Sequence, residues 1–186
     1  MVAISVALDP VREAALLVRA RGTSSAQREE AFNEVFEAFR TPVLALCLHL
    51  TGSRTEAEDA AQDVFLVVFK GLARFRGESR VSTWIYRIAI RTAFRAKARR
   101  PKTVPLVVDP PGPASDPALG REKTRQLRTA LGRLSADHRT VLALFSLDGL
   151  SHLEIASTLG IPEGTVWSRL HLARKKLAAE LRSVGY

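Results

Sequence analysis

Apolar residues return every third or fourth position through most of the chain, and no segment alternates apolar and polar residues for long enough to predict a strand. The first periodic segment opens at Asp9-Pro10, an N-cap followed by proline at the first helical position, and stops near Gly22. A second covers about 28–50, with Phe32, Val35, Phe36 and Phe39 at helical spacing and Pro42 placed to kink it. Thr55 and Glu58 fit a T-x-x-E capping box for a third helix, whose Ala61, Val64 or Phe65, Val68 and Leu72 make a core stripe. A fourth runs from about Ser82 to Arg99. After a break at 101–120 the pattern resumes. REKTRQLRTALGRL predicts an amphipathic helix, Ser135 caps the next, and Ser151 with Glu154 forms a second capping box. Gly160 then breaks the chain and Pro162 opens a last helix with Val166, Leu170, Ala173, Leu177 and Leu181 on one face. Helix, tight glycine turn, helix predicts a helix-turn-helix. The fold class is therefore all-α, with two small helical domains at 10–100 and 121–186.

Six of the nine prolines fall in the joint, PKTVPLVVDPPGPASDPALG, so 101–120 reads as a partly extended linker. At ~3.1 Å per residue it reaches on the order of 60 Å. A hydrophobic content of 46% supports ordinary cores and excludes a disordered basic tail. Cys47, the single cysteine, lies in the apolar run VLALCLHL; it is expected to be a buried small hydrophobe, and no disulfide framework or Cys/His zinc site can be built on it. Apolar runs fall far short of the ~20 residues that span a bilayer, and the N-terminus lacks basic residues ahead of its apolar part, so neither membrane insertion nor a signal peptide is expected and the default compartment is the cytoplasm.

Charge changes the picture. Lys and Arg number 28 against 19 Asp and Glu, a net +9, with a pI near 10.6, which favours a polyanionic partner, nucleic acid or an anionic membrane surface. Yet TEAEDAAQDVFLVVF, residues 55–69, gathers Glu56, Glu58, Asp59 and Asp63 with no basic residue between them. Glu58 has a capping role and Glu56 suits a helix N-terminus. Asp59 and Asp63, one turn apart, need another partner. Downstream, Arg87, Arg91, Arg95 and Arg99 share a helix face, where like charges at four-residue spacing cost a few tenths of a kcal/mol per pair that phosphates would offset. Just before them, FRGESRVSTWIY sets aromatics beside the basic groove, the ingredients of single-strand binding. Trp84 and Tyr86 point in different directions on a helix, so at least one belongs to the core, while Gly77 and Ser79 suggest a turn that could wall a pocket for an extruded base. On the last helix, Thr165, Ser168, Arg169, His171, Arg174, Lys175 and Lys176 face away from the apolar stripe, as base-reading and phosphate-binding groups of a recognition helix would. The plainer alternative for both basic faces is a solvated charge run.

LTGSRTEAEDAAQDVFLVVFKGLARFRGESRVSTWIYRIAI and LSHLEIASTLGIPEGTVWSRLHLARKKL closely resemble bacterial RNA polymerase sigma factors of the extracytoplasmic-function class of the sigma-70 family. The resemblance covers roughly 11–100 and 121–184, with AEDAAQDVF, STW-YRIA and GIPEGTV-SRL in the family's order. It implies a non-catalytic subunit, without cofactor or metal, that binds core RNA polymerase and directs promoter-specific initiation. By the same resemblance the acidic helix docks on a coiled-coil of the β′ subunit through Glu58, Asp59, Gln62, Asp63 and Phe65. Phe75, Arg76, Ser79, Arg80, Ser82, Trp84, Arg87, Arg91 and Arg95 are implied to melt and read the −10 element. Glu163, Gly164, Thr165, Trp167, Ser168, Arg169, His171 and Arg174 are implied to read the −35 element as duplex. The β flap and an anti-sigma factor are further partners the family implies.

Three positions depart from the family pattern: Arg91 where many relatives carry Asn, and Trp167 and Leu172 where a basic residue is common. Two rival readings remain. A stand-alone helix-turn-helix regulator would leave the acidic helix unused, and a nuclease holding Mg²⁺ on Glu56, Asp59 and Asp63 would need ligands from more than one helix.

Overall fold

The computed structural model describes residues 9–99, 117–146 and 149–183, with the backbone alone for 117–124. Eight helices among the described residues follow one another: α1 (Pro10–Ala20), α2 (Ser25–Thr51), α3 (Arg54–Leu72), α4 (Val81–Arg99), α5 (Pro117–Arg133), α6 (Ala136–Ser146), α7 (His152–Leu159) and α8 (Glu163–Ser183). The all-α expectation holds. Most of the proline-rich joint lies outside the described residues. Its last proline does not, because α5 begins at Pro117. A fixed φ without an N–H suits a first helical turn, so the helix starts earlier than the linker reading placed it.

In the first body α2, α3 and α4 pack on one another and α1 lies on α2. Asp9 caps α1, its Oδ1 accepting from the Val11 N–H at 2.9 Å. Arg12 and Arg19 of α1 both pair with Glu34 of α2, and the two guanidinium groups hold that carboxyl below its usual range despite partial burial. Pro42 does not end α2, which runs on as one helix with the proline buried. Gly52 stops it at φ +79°, a left-handed conformation open to glycine. The restart after Gly52 corrects the capping expectation. Ser53, not Thr55, is the N-cap of α3, its Oγ accepting from the Glu56 N–H at 3.4 Å. Glu58 instead accepts from Arg54 Nε at 2.7 Å, one turn back.

The α3 stripe Ala57, Ala60, Ala61, Val64, Phe65, Val68 and Leu72 is buried, with Phe65 edge-on to Phe36 at 4.8 Å. Tyr86 is the core aromatic of α4, edge-on to Phe39. Cys47 is fully buried, and burial pushes its thiol up to about 12, so it stays protonated and inert.

In the second body α6, α7 and α5 pack around α8. Arg139, only 6% exposed, ties it together by donating to Leu131 O and Gly132 O in the last turn of α5 and to Leu134 O just past it. A fourth bond runs to Leu50 O of α2, and the two bodies meet along α6 on α2 and α7 on α4.

Candidate nucleic-acid interface

Burying the α3 stripe leaves Asp59, Gln62 and Asp63 exposed on the opposite side, and neither aspartate has an ion-pair partner among the described residues. Glu58 sits at the edge of this surface, half-buried and engaged by Arg54. Phe65 is turned into the core. The apolar groups that do continue the acidic surface are Leu66, Val67 and Phe69, each about half exposed (56%, 47% and 54%). One residue is a rotation of 100° on a helix, so the stripe alone did not separate Phe65 from Leu66. Carboxylates followed by exposed large hydrophobics suit a protein partner better than they suit DNA.

Residues 73–80 form the turn between α3 and α4, and Gly77 takes φ +80° there. Sequence reasoning missed that α1 and its C-cap residue hold this turn. Arg21 Nη2 donates to Phe75 O at 2.6 Å, and Glu13 Oε1 accepts from the Val81 N–H at 2.7 Å, capping α4 from another helix. Phe75 is buried, its ring 5.0 Å from that of Trp84. Trp84 is half-buried and lies over Gly71, where an added Cβ would meet the indole at 2.9 Å. Gly71→Ala is therefore expected to push the indole off its seat. With Trp167 replaced by Phe so that one indole reports, the emission should shift, and the clash should outweigh the ~1 kcal/mol that alanine adds to a helix. An unchanged spectrum would mean Trp84 is not wedged there.

Arg76 is exposed, with Glu78 at 3.7 Å; Ser79, Arg80 and Ser82 are half-buried on the same edge. Arg91 and Arg95 are exposed along α4. Arg87 shares their face but is already engaged by α7, donating from Nε to Thr158 O at 3.1 Å and from Nη2 to Ser157 O.

In the second body the predicted motif forms as the local sequence requires. Ser151 Oγ accepts from the Glu154 N–H while Glu154 accepts from the Ser151 N–H, the reciprocal capping box of α7. Gly160 turns at φ +66°. Val166, Leu170 and Ala173 are buried, with Leu177 and Leu181 half-buried behind them. Glu163, Gly164, Trp167, Ser168, His171 and Arg174 are exposed on the far side, with Thr165 and Arg169 half-buried. Arg169 Nη2 is held by Asp137 Oδ2 at 2.7 Å, a partner from the first turn of α6 that spacing along α8 could not reveal. Ser168 spends its hydroxyl proton on Thr165 O at 3.0 Å, which leaves it an acceptor toward any outside group. Arg174 lies over the Phe145 ring at 4.7 Å, Phe145 stacks on His152, and Trp167 meets His152 edge-on. Trp167 thus ends an aromatic row and remains 62% exposed.

Among the described residues no three His, Cys, Asp or Glu side chains converge as a cation site requires, Glu56, Asp59 and Asp63 included. Among the same residues no helix is long and apolar enough to cross a membrane.

Two family descriptions match the chain, Sigma-70 region 2 over residues 35–103 and Sigma-70, region 4 over residues 124–177. The chain is 29% identical to the ECF RNA polymerase sigma factor SigW of Bacillus subtilis, over 84% of this chain and 91% of that protein. It is 30% identical to the RNA polymerase sigma-H factor of Pseudomonas aeruginosa (83% and 88% covered). Against the ECF RNA polymerase sigma-E factor of Escherichia coli K12 the identity is 33% (80% and 85% covered). Its fold is similar to that of CnrH in complex with the cytosolic domain of CnrY, with a TM-score of 0.72 at 21% identity over 92% of this chain and 97% of that one. The sigma factor RpoE of Bartonella quintana, solved with the anti-sigma factor NepR, gives 0.66 at 24% identity over 81% and 96%.

Proposed function

Since the chain belongs to the extracytoplasmic-function class of the sigma-70 family of RNA polymerase sigma factors, we propose how its surfaces divide the work of promoter-specific initiation. The exposed carboxylates of α3, with Leu66, Val67 and Phe69 beside them, dock on the β′ coiled-coil of core polymerase. The turn at 73–80 and the basic face of α4 capture the melted −10 strand, with Arg91 and Arg95 on phosphate or stacked on a base. The exposed face of α8 lies in the major groove at the −35 element, and the second body also meets the β flap. The chain supplies specificity rather than catalysis and acts in the cytoplasm. An anti-sigma factor is expected as its regulator, as the complexes of CnrH and RpoE suggest.

The observation that carries this division is the segregation of charge: exposed aspartates on α3 without ion-pair partners among the described residues, exposed guanidinium groups on α4 and α8. A stand-alone regulator would have no use for the first of these. Mixing the chain with sigma-free bacterial core polymerase and fragmented genomic DNA, then sequencing transcript 5′ ends, should give discrete starts sharing two upstream elements. Tight duplex binding without any gain of specific starts would support the stand-alone regulator instead. Within the −35 face, Arg169→Ala is expected to weaken binding by roughly 1–3 kcal/mol on the cognate element only, as loss of a bidentate base contact does. Equal losses on scrambled −35 DNA would make Arg169 a phosphate contact.

A further inference from the structure

Trp167 leaves a large apolar side chain 62% exposed on a face of α8 whose other exposed groups include Glu163, Ser168, His171 and Arg174. Val166, Leu170 and Ala173 already fill the buried side, so the fold has no use for the indole as core. Its ring is nonetheless held. It meets His152, the first residue of α7, edge-on with 6.4 Å between centroids, and His152 stacks on Phe145 of α6 at 5.6 Å. Arg174 closes the row from α8, 4.7 Å over the Phe145 ring. One turn before Trp167 stands Gly164, where a Cβ would meet no atom within 4 Å, so the surface beside the indole is open to a visitor. An indole cannot ion-pair with phosphate, and its single N–H donor is small beside its apolar surface. What it can bury is an apolar group. In the major groove of B-DNA the one methyl group that the bases present is the C5-methyl of thymine.

We infer that Trp167 is a specificity-determining residue that reads the methyl group of one thymine in the −35 duplex. The inference deepens the assignment of α8 to that element and rests on it. The row through His152 and Phe145 fixes the ring before DNA arrives, so little side-chain freedom is lost on binding. Selectivity at this base pair then comes from burial of one methyl group rather than from a hydrogen bond or a charge. The contact releases no counterion, so it discriminates equally well at low and high salt.

The test removes the methyl and nothing else. Promoter fragments carrying the farther upstream of the two elements shared by the mapped starts are synthesised with deoxyuridine in place of thymidine, one position at a time. Their affinity for core polymerase reconstituted with the full chain is read by competition. For the wild type, substitution at one thymidine of that element should cost roughly fourfold, which is what burial of one methyl group contributes. Trp167→Arg should lose this sensitivity, and its affinity should fall more steeply with salt, by about one unit of the log–log slope, as one added phosphate contact gives. Trp167→Phe keeps an apolar ring and should keep the sensitivity. A wild type indifferent to deoxyuridine throughout the element overturns the inference. Equal losses in the wild type and Trp167→Arg overturn it as well, because the methyl then meets another side chain, the exposed Leu172 among them. Scrambling the whole element separates the two readings. If the wild type binds scrambled and native fragments equally, the −35 assignment of α8 falls, and the methyl contact with it.

Discussion

Asp59→Arg combined with Asp63→Arg is expected to abolish assembly with core RNA polymerase while leaving helicity and thermal stability at wild-type values. Both side chains are exposed on α3, neither has an ion-pair partner among the described residues, and both lie beyond the first turn, where a carboxylate would serve the helix itself. The fold therefore loses nothing when they are reversed. A partner surface built to receive two carboxylates loses two attractions and gains two repulsions, and like charges brought together at an interface cost several kcal/mol. Competition against the wild-type chain for labelled core should show at least a ~100-fold loss, which corresponds to about 2.7 kcal/mol. The exposed trio Leu66, Val67 and Phe69 next to them would remain as a weak hydrophobic footprint. Retained affinity with intact helicity would remove this face from the interface and leave its carboxylates unexplained.

Arg139→Met carries the largest expected effect on stability. The guanidinium is buried and donates to four main-chain carbonyls: Leu131, Gly132 and Leu134 around the end of α5, and Leu50 at the end of α2. Burial pushes its pKa down from the ordinary arginine value, because the cation is taken out of water. Methionine keeps much of the volume but donates nothing: Leu131 O keeps the Leu134 N–H and Leu50 O keeps Lys97 Nζ, while Gly132 O and Leu134 O lose the guanidinium, and a buried acceptor left without a donor costs ~1–3 kcal/mol. A net loss of about 3 kcal/mol follows, a fall in Tm of about 8 °C for a chain of this size. Thermal melting followed by circular dichroism reads it directly, and a shift of under about 1 °C would show that the carbonyls are satisfied without the guanidinium.

Much of the fold was legible because the signals were local. Asp9-Pro10, the Ser151–Glu154 box and Gly160 each act over three or four residues and appear where their chemistry places them. The start of α3 was misread because SRTE and TEAE both satisfy the capping pattern. The choice was made by Gly52, whose left-handed backbone ends α2 and leaves Ser53 as the residue at which the next helix begins. Exposure of Asp59 and Asp63 followed from the apolar stripe, but the side to which Phe65 turned was decided by Phe36 on another helix. What spacing could not show were the partners far along the chain: Glu13 for Val81, Asp137 for Arg169, and the α7 carbonyls for Arg87, 70 and 71 residues away. Each joins groups that only the packed helices bring together.

The grip of α1 on the turn at 73–80 has a consequence for the rate of promoter opening. Fixing a residue's backbone costs roughly 1–2 kcal/mol of conformational entropy. With Arg21 on one end of the turn and Glu13 on the other, much of that ordering is completed when the protein folds. On the proposed assignment of this turn to the −10 strand, a base leaving its stack would meet a surface already shaped, and the barrier it faces would be mainly its own unstacking, a few kcal/mol. Helix α1 would thereby set how quickly a captured strand becomes a committed one.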